Sequence, residues 1–214
     1  MQKRIRNVFM KLLMNKKIIG FLLLVFSLGF TCHKEQADTN WQNGDIVFQD
    51  SESSQSQAIK LATNSKFSHC GIVFQNETNG QWMVLEAVQP VRMIPIEKWI
   101  ANGNDKYEVK RLKNFALVQG DTLEKMYQLG KSFIGKNYDI QFGWGDDKLY
   151  CSELVWKIYQ RGAGVELGKR KPLKDYNLNS KLVKEQLKLR YGATIPENEL
   201  MVSPQDIWES DLLE

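Results

Sequence analysis

"HCGIVFQNETNGQWMVLEAV", residues 69–88, sets two apolar, β-branched runs on either side of the turn-forming tetrapeptide "ETNG". That is the pattern of a β-hairpin. The hairpin's register decides which side chains share a face. Positions 69 and 86 have opposite parity, so any even-length loop puts His69 and Glu86 on the same face. A four-residue loop at residues 77–80 sets Gly71 opposite Glu86 and leaves Glu86 diagonal to His69, about 7 Å away at the backbone. A two-residue turn at Asn79-Gly80, which local turn chemistry favours, sets Glu86 opposite Val73 instead, about 13 Å along the strand from His69 and out of reach. By the same alternation Cys70 points away from His69 and reads as a core thiol.

Around the hairpin the elements alternate in type. "GDIVFQ" (44–49) reads as a strand and residues 53–64 as a Ser/Gln-rich helix. "VRMIPI" and "YEVKRLK" read as further strands, with a short helix near residues 97–101 between them. "DTLEKMYQLGKSFIG" has a helix start at Asp121 with Glu124 at capping-box spacing, and a stop at Gly135. In "LYCSELVWKIY", residues 149–159, Leu154, Val155, Ile158 and Tyr159 fall on one helical stripe directly after a cysteine. A Lys-rich surface helix is expected near residues 182–189. "SPQDIW" offers Ser203 as N-cap, Pro204 at the first helical position and Asp206 three residues after the cap. The fold class that follows is α+β, with an antiparallel sheet packed against helices.

The chain has 214 residues, 43% of them hydrophobic, enough for one well-packed domain. Its net charge of +4 owes much to the first residues, where Lys3, Arg4, Arg6, Lys11, Lys16 and Lys17 precede any acidic group. Beyond them charges of both signs are interspersed, with no basic stripe interleaved with aromatics, so a nucleic-acid partner is not expected. The N-terminal positives lead into the apolar run "IIGFLLLVFSLGF" (18–30), then Thr31-Cys32. The run is shorter than the ~20 residues of a membrane span and reads as an export signal; an uncleaved anchor is the alternative. A cysteine at that point resembles the lipidated first residue of a bacterial lipoprotein, although Phe30 and Thr31 depart from the usual small residues. The expected organisation is a signal at residues 1–32, a polar tether at 33–40 and one domain at 41–214, exported to the bacterial cell envelope as a membrane-anchored or periplasmic protein.

Candidate chemistry is confined by scarcity. Of two histidines, His33 lies in the tether, which leaves His69 alone in the domain. A thiol becomes a nucleophile when a neighbouring base or a helix N-terminus lowers its pKa. Cys151 at the mouth of a helix, paired with His69, meets both conditions, and the same N–H groups can hold an oxyanion. No His/Cys cluster has metal-ligand spacing, no serine sits in a Gly-x-Ser-x-Gly elbow, and no cofactor is expected. A Cys70–Cys151 disulfide is the plain structural alternative. Asp45 reads as a turn acceptor, and Ser152 and Glu153 as helix-start residues.

Taken in order, "GDIVF", "SHCGIV", "VLEA", "GKNYD", "YCSELVWKIY" and "SPQDIW" resemble the YiiX/YebB-like branch of the NlpC-type cysteine peptidases, from residue 44 to residue 208. The resemblance implies a circularly permuted papain-like fold, with Cys151 as nucleophile, His69 as general base and Glu86 as the residue that orients it. It also implies that Tyr138 and Tyr150 line the cleft, the alternative being core aromatics with wet hydroxyls. Trp144, on a Gly-flanked loop just ahead of the cysteine, is either a substrate platform or a plug. The implied activity is a thiol hydrolase acting on amide bonds, with peptidoglycan stem peptides as substrate. Permuted relatives similar to lecithin retinol acyltransferase suggest a lipid acyl substrate instead, and a non-catalytic binding module on the same fold is the third reading.

Overall fold

The computed structural model describes residues 40–50 and 53–214; the expected export signal, Cys32 and nearly all of the expected tether lie outside the described residues. Trp41–Glu214 forms one contact unit. Its centre is a five-stranded antiparallel sheet of β1 (Ile46–Gln49), β2 (His69–Gln75), β3 (Trp82–Glu86), β4 (Arg92–Pro95) and β5 (Tyr107–Lys110), in the spatial order β4-β3-β2-β1-β5.

Alternation along these strands builds two separate cores. Ile46, Phe48, Cys70, Ile72, Phe74 and Leu85 face one side, and Val47, Val73, Val84 and Ile94 face the other. With both faces buried, the strands read as near-continuous apolar runs rather than a polar/apolar alternation. The smaller core is closed by α2 (Ile96–Asn102), whose Ile96 and Trp99 are buried. The larger core receives α3 (Gly120–Phe133) and α4 (Cys151–Ile158), the latter with every residue buried. A second layer on that side is the pair α1 (Ser54–Thr63) and α5 (Lys181–Tyr191), followed by α6 (Pro204–Trp208). Two-residue strands β6 (Asn137–Tyr138) and β7 (Lys148–Leu149) pair in parallel just ahead of α4, and β8 (Lys171–Pro172) pairs antiparallel with β9 (Leu200–Met201).

Capping chemistry places several helix ends where the sequence puts them. Ser53 Oγ accepts from the Ser56 N–H at 3.1 Å, and Asn64 closes α1 in the left-handed region. At α6, Ser203 and Asp206 form a reciprocal capping box with Pro204 in the first turn. One expected start is displaced. The capping box at Asp121 and Glu124 does not form: α3 begins at Gly120, its cap is Gln119 without a side-chain bond, and Glu124 turns to Gln128 at 2.7 Å.

The hairpin takes the longer of the two loops. Ile72 pairs with Leu85 and Gln75 with Trp82, and the Asn76 N–H bonds to the Gln81 carbonyl at 2.8 Å. Four residues, 77–80, therefore span the turn, against the local preference for a tight Asn-Gly turn. Asn76 stabilises the wider loop, its side chain accepting from the Thr78 N–H and its carbonyl from the Gly80 N–H, while Gly80 takes the positive φ of 72° that closes it.

Extended one step, this register sets Gly71 opposite Glu86, where the chain needs a residue without a side chain. A Cβ at 71 would lie 2.5 Å from Val84 Cγ1, 3.0 Å from the Leu85 carbonyl oxygen and 3.6 Å from Glu86 Cβ. The backbone contact cannot be relieved by a rotamer change, and overpacking of this kind costs about 1–3 kcal/mol. Gly71→Ala should therefore lower Tm by roughly 3–10 °C in a thermal melt; an unchanged Tm would show that the strands are not packed in this register.

Candidate active site

α4 points its first residue at the start of β2. Its stripe of Leu154, Val155 and Ile158, all fully buried, seats the helix on the sheet, and Ser152 Oγ ties its first turn to the Val202 carbonyl at 2.8 Å. Burying side chains of this size is worth about 1.5–3 kcal/mol each, so the position of Cys151 is set by core packing. There the Cys151 thiol and the His69 imidazole are neighbours, each shifting the other's titration. His69 Nε2 lies 2.7 Å from Glu86 Oε2, which leaves Nδ1 for the thiol. The four-residue loop thus delivers the diagonal His69–Glu86 contact.

Glu86 is 2% exposed and is held from three elements. Besides His69 on β2, the Arg92 guanidinium on β4 donates from Nε at 2.9 Å and lies 2.8 Å from Oε1 through Nη2. From α2, Trp99 Nε1 donates to Oε2 at 3.0 Å. Burial would raise the carboxyl, but its bonds and charge contacts with His69, then Arg92, outweigh that and hold it below the usual carboxylate range. Sequence reasoning passed over Arg92 and Trp99. A signal existed for the first: Arg92 is the direct cross-strand partner of Glu86, an opposite-charge pairing.

The thiol and imidazole shift in opposite senses. Burial opposes charge on His69, yet Cys151 and Glu86 carry it up to about 10. Cys151 is held well below the ordinary thiol value by the Cys70 thiol, then by His69, against the effect of burial. Cys70 is pushed up by burial and by its charged neighbour. Alternation does send Cys70 to the face opposite His69, but that is the face α4 packs on, so the second thiol touches the first. Both are free cysteines, and Cys70 is a core thiol, as alternation indicates.

Tyr138 and Tyr150 line a cavity that reaches Cys151. Tyr150 is buried, and its hydroxyl accepts from the Val202 N–H at 3.2 Å. Trp144 is not part of that lining. It packs edge-on against Trp156 at 5.2 Å between ring centres, with Arg170 4.3 Å and Lys157 5.1 Å from its ring. Two cations and the flank of α4 pack against its ring. Beneath it Lys157, fully buried, lies 2.7 Å from Glu153 Oε1 and bonds to Asp146 and the Gly145 carbonyl. Burial raises Glu153 to about 7 against the pull of Lys157, and its Oε2 accepts from the Tyr150 N–H, so it serves the helix start. Asp45 is likewise structural, accepting from the Gln42 N–H and from both Arg111 Nε and Nη2.

A helix-mounted cysteine following a strand-mounted histidine is the permuted order of a papain-type site, and residues 40–214 match the model of the permuted papain-like amidase enzymes, YaeF/YiiX, C92 family. This chain belongs to that family. It is a cysteine hydrolase of the peptidase/amidase type, on a permuted papain-like α+β fold. It is 44% identical over 173 residues to a protein of Escherichia coli (strain K12) described as uncharacterized protein YiiX, covering 80% of this chain and 84% of that one. It also superposes, with a TM-score of 0.76 and 44% identity, on a crystal structure described as that of the metalloprotein yiiX from Escherichia coli O157:H7, over 81% of this chain and 94% of the other. In this chain, no group of three or more His, Cys, Asp or Glu among the described residues is arranged to hold a metal ion. The Glu86 carboxylate is already taken up by His69, Arg92 and Trp99.

Because the thiolate is the reactive form, a lowered pKa at Cys151 keeps it reactive as pH falls, and a raised pKa at Cys70 keeps it inert. Iodoacetamide should alkylate Cys151 at nearly constant rate from about pH 6 to 9, with Cys70 unlabelled until well above that. His69→Ala should move the Cys151 profile up toward that of an ordinary thiol. Equal labelling of the two cysteines in a peptide mass map would contradict this assignment.

Proposed function

We propose that this chain is an exported thiol amidase that works through an acyl-enzyme on Cys151, with His69 as acid and base and Glu86 as the group that holds the ring. The observation that carries the reading is the unbroken relay from Cys151 through His69 to a buried Glu86 that Arg92 and Trp99 fix in place. The Cys151 thiolate attacks the amide carbonyl, forming the S–C bond as the C=O π pair moves onto oxygen. The first turn of α4, whose leading N–H groups have no intrahelical acceptor, faces that charge. Collapse of the adduct breaks the C–N bond while the His69 imidazolium gives its proton to the departing amine. The neutral ring then takes a proton from water, the hydroxide attacks the thioester, and the thiolate leaves. Glu86 accepts the Nε2–H throughout, which keeps Nδ1 toward sulfur and stabilises the imidazolium.

Two substrate classes suit an enzyme at the cell envelope: a peptidoglycan stem peptide and an amide carrying a lipid acyl group. The cavity that ends at Cys151 is walled by Ala58, Leu173, Val183, Leu187 and Val202, and this favours the second.

Cys151→Ala should abolish turnover. Glu86→Gln keeps nucleophile and base but loses the charge that holds the ring, and should lower kcat at least tenfold, below the full 10²–10⁴-fold worth of general-base catalysis. Intact-mass spectra after substrate mixing should show an acyl adduct on Cys151 that is absent from Cys151→Ala and formed far more slowly in His69→Ala, which lacks the acid for the departing amine. Hydrolysis that survives Cys151→Ala would refute the mechanism.

Export is testable separately. The mature protein from cells should begin at Cys32, carry acyl mass and partition with membranes, and Cys32→Ser should release it or leave the signal uncleaved. A mature terminus within the tether and without acyl mass would remove the lipid anchor and leave export standing.

A further inference from the structure

A guanidinium withdrawn from water ordinarily brings its counter-ion with it. Arg92, Arg111 and Arg161 obey that rule and hold Glu86, Asp45 and Asp146. Arg190, in the last turn of α5, departs from it. Among the described residues it forms no ion pair, yet it is half-buried and lines the cavity that reaches Cys151. No carboxylate shares that lining, so among the described residues Arg190 is the one ordinary charge facing the thiol. The helix dipole favours a cation in a last turn, but exposed Lys188 already meets that demand from solvent. It does not account for a guanidinium turned inward.

The loop that follows β6 holds this side chain in place. Buried Asp139 accepts from the Gln141 N–H and the Gly143 N–H at 2.8 Å each, one on each oxygen. Between them Phe142 takes a φ of 52°, a conformation rare for an aromatic residue that persists only where its surroundings over-determine it. Its ring centre thereby lies 4.0 Å from the guanidinium carbon of Arg190 and 5.1 Å from the ring of Tyr150, which it meets edge-on. Tyr191, the next residue of α5, donates from its hydroxyl to the Gln141 carbonyl at 2.5 Å and so ties the helix end to the same loop. A guanidinium stacked by its face keeps its N–H groups at the rim, where they match an oxyanion. Burial lowers its pKa, and its neighbours offset that only in part. Tyr138 is within charge reach of both Cys151 and Arg190, which sets the cation close to the reaction centre.

We infer that Arg190, stacked on Phe142, is an oxyanion-binding site of the substrate cleft, and that the amide substrate carries a carboxylate or phosphate that pairs with it while the scissile carbonyl meets Cys151. This deepens the proposed function and rests on Cys151 being the nucleophile. Carboxylate and phosphate share the chemistry required, two oxygens that accept parallel N–H bonds from one guanidinium. A lysine cannot supply that fork.

Alkylating reagents that carry their own anion test this without turnover. The iodoacetyl derivatives of glycine, β-alanine and γ-aminobutyrate set a carboxylate at increasing distance from the carbon that Cys151 attacks, and the methyl ester of each is its neutral counterpart. The thiolate forms the S–C bond and iodide leaves with the C–I pair. In the full chain, the acid of one spacing should alkylate Cys151 on the order of tenfold faster than its ester, the advantage of a charge-assisted bond. Arg190→Gln should remove that advantage, and Arg190→Lys should restore part of it. The attraction of the His69 imidazolium for an anion is common to all three proteins and drops out of the comparison. Arg190→Met, which keeps an apolar stem against Phe142, replaces a Gln variant that fails to fold.

An acid-to-ester ratio unchanged by the substitution, or near one at every spacing in the wild type, overturns the anion site and leaves the thiol mechanism intact. An iodoacetamide pH profile of Cys151 that moves upward in Arg190→Gln assigns the cation to the thiolate and overturns the substrate role. Unselective alkylation of Cys70 and Cys151 by every reagent overturns the nucleophile, and the site with it. The iodoacetyl derivative of aminomethylphosphonate identifies the anion. An Arg190-dependent advantage larger than that of any carboxylate marks a phosphate on the substrate, and a smaller one marks a carboxylate.

Discussion

A carboxylate buried to 2% exposure is the constraint around which this structure is organised. Removing such a group from water without partners costs several kcal/mol, and losing one partner of a buried pair is strongly destabilising. Glu86 therefore needs donors, and it draws them from three places in the chain: a strand start, the next strand and the helix that follows. Meeting that need fixes the hairpin register, sets β4 beside β3 and docks α2 over the smaller core. The same contacts hold an imidazole at the one point α4 can reach. Fold stability and nucleophile activation thus rest on one interaction, and neither element of the hairpin can shift without disturbing both.

The architecture was legible wherever a period or a cap decides it. Apolar, β-branched runs named the strands, two-residue alternation put His69 and Glu86 on one face, and Ser53, Ser203, Pro204 and Asp206 marked helix ends that the structure has. What escaped was decided by contacts between distant segments. Asn79-Gly80 asks locally for a tight turn, but the pairing of Ile72 with Leu85 allows four residues. Asp121 offers a cap, but α3 starts one residue earlier, from an uncapped Gln119. Trp144 is flanked by glycines, which suggests an open loop, yet Arg170 and Lys157 take its ring. Neither partner is near it in the chain, so no local pattern could announce them.

Cys70 shows how much a correct rule can leave unsaid. Alternation assigns it to the core face away from His69, and it lies there. That is also the face on which α4 packs, so the core thiol borders the nucleophile. Two thiols in contact within a low-dielectric core cannot both ionise, so their titrations separate: the one beside the imidazole loses its proton readily and the other keeps it. Cys70 then serves as a hydrogen-bond donor to a thiolate, a role open to a residue that its sequence context marks as packing.

α4 has no solvent face: all eight of its residues are buried, and its own lysine is neutralised internally by Glu153 and Asp146. Change at almost any of its positions strains the core, so this helix is closed to evolutionary drift. α1 and α5, by contrast, contribute only part of their surface to the interior, and a substitution there reshapes the cavity wall without touching the relay. The fold thereby divides its sequence into a portion that must stay and a portion free to vary. Descendants could retune what they accept over short mutational distances while inheriting the reaction unchanged.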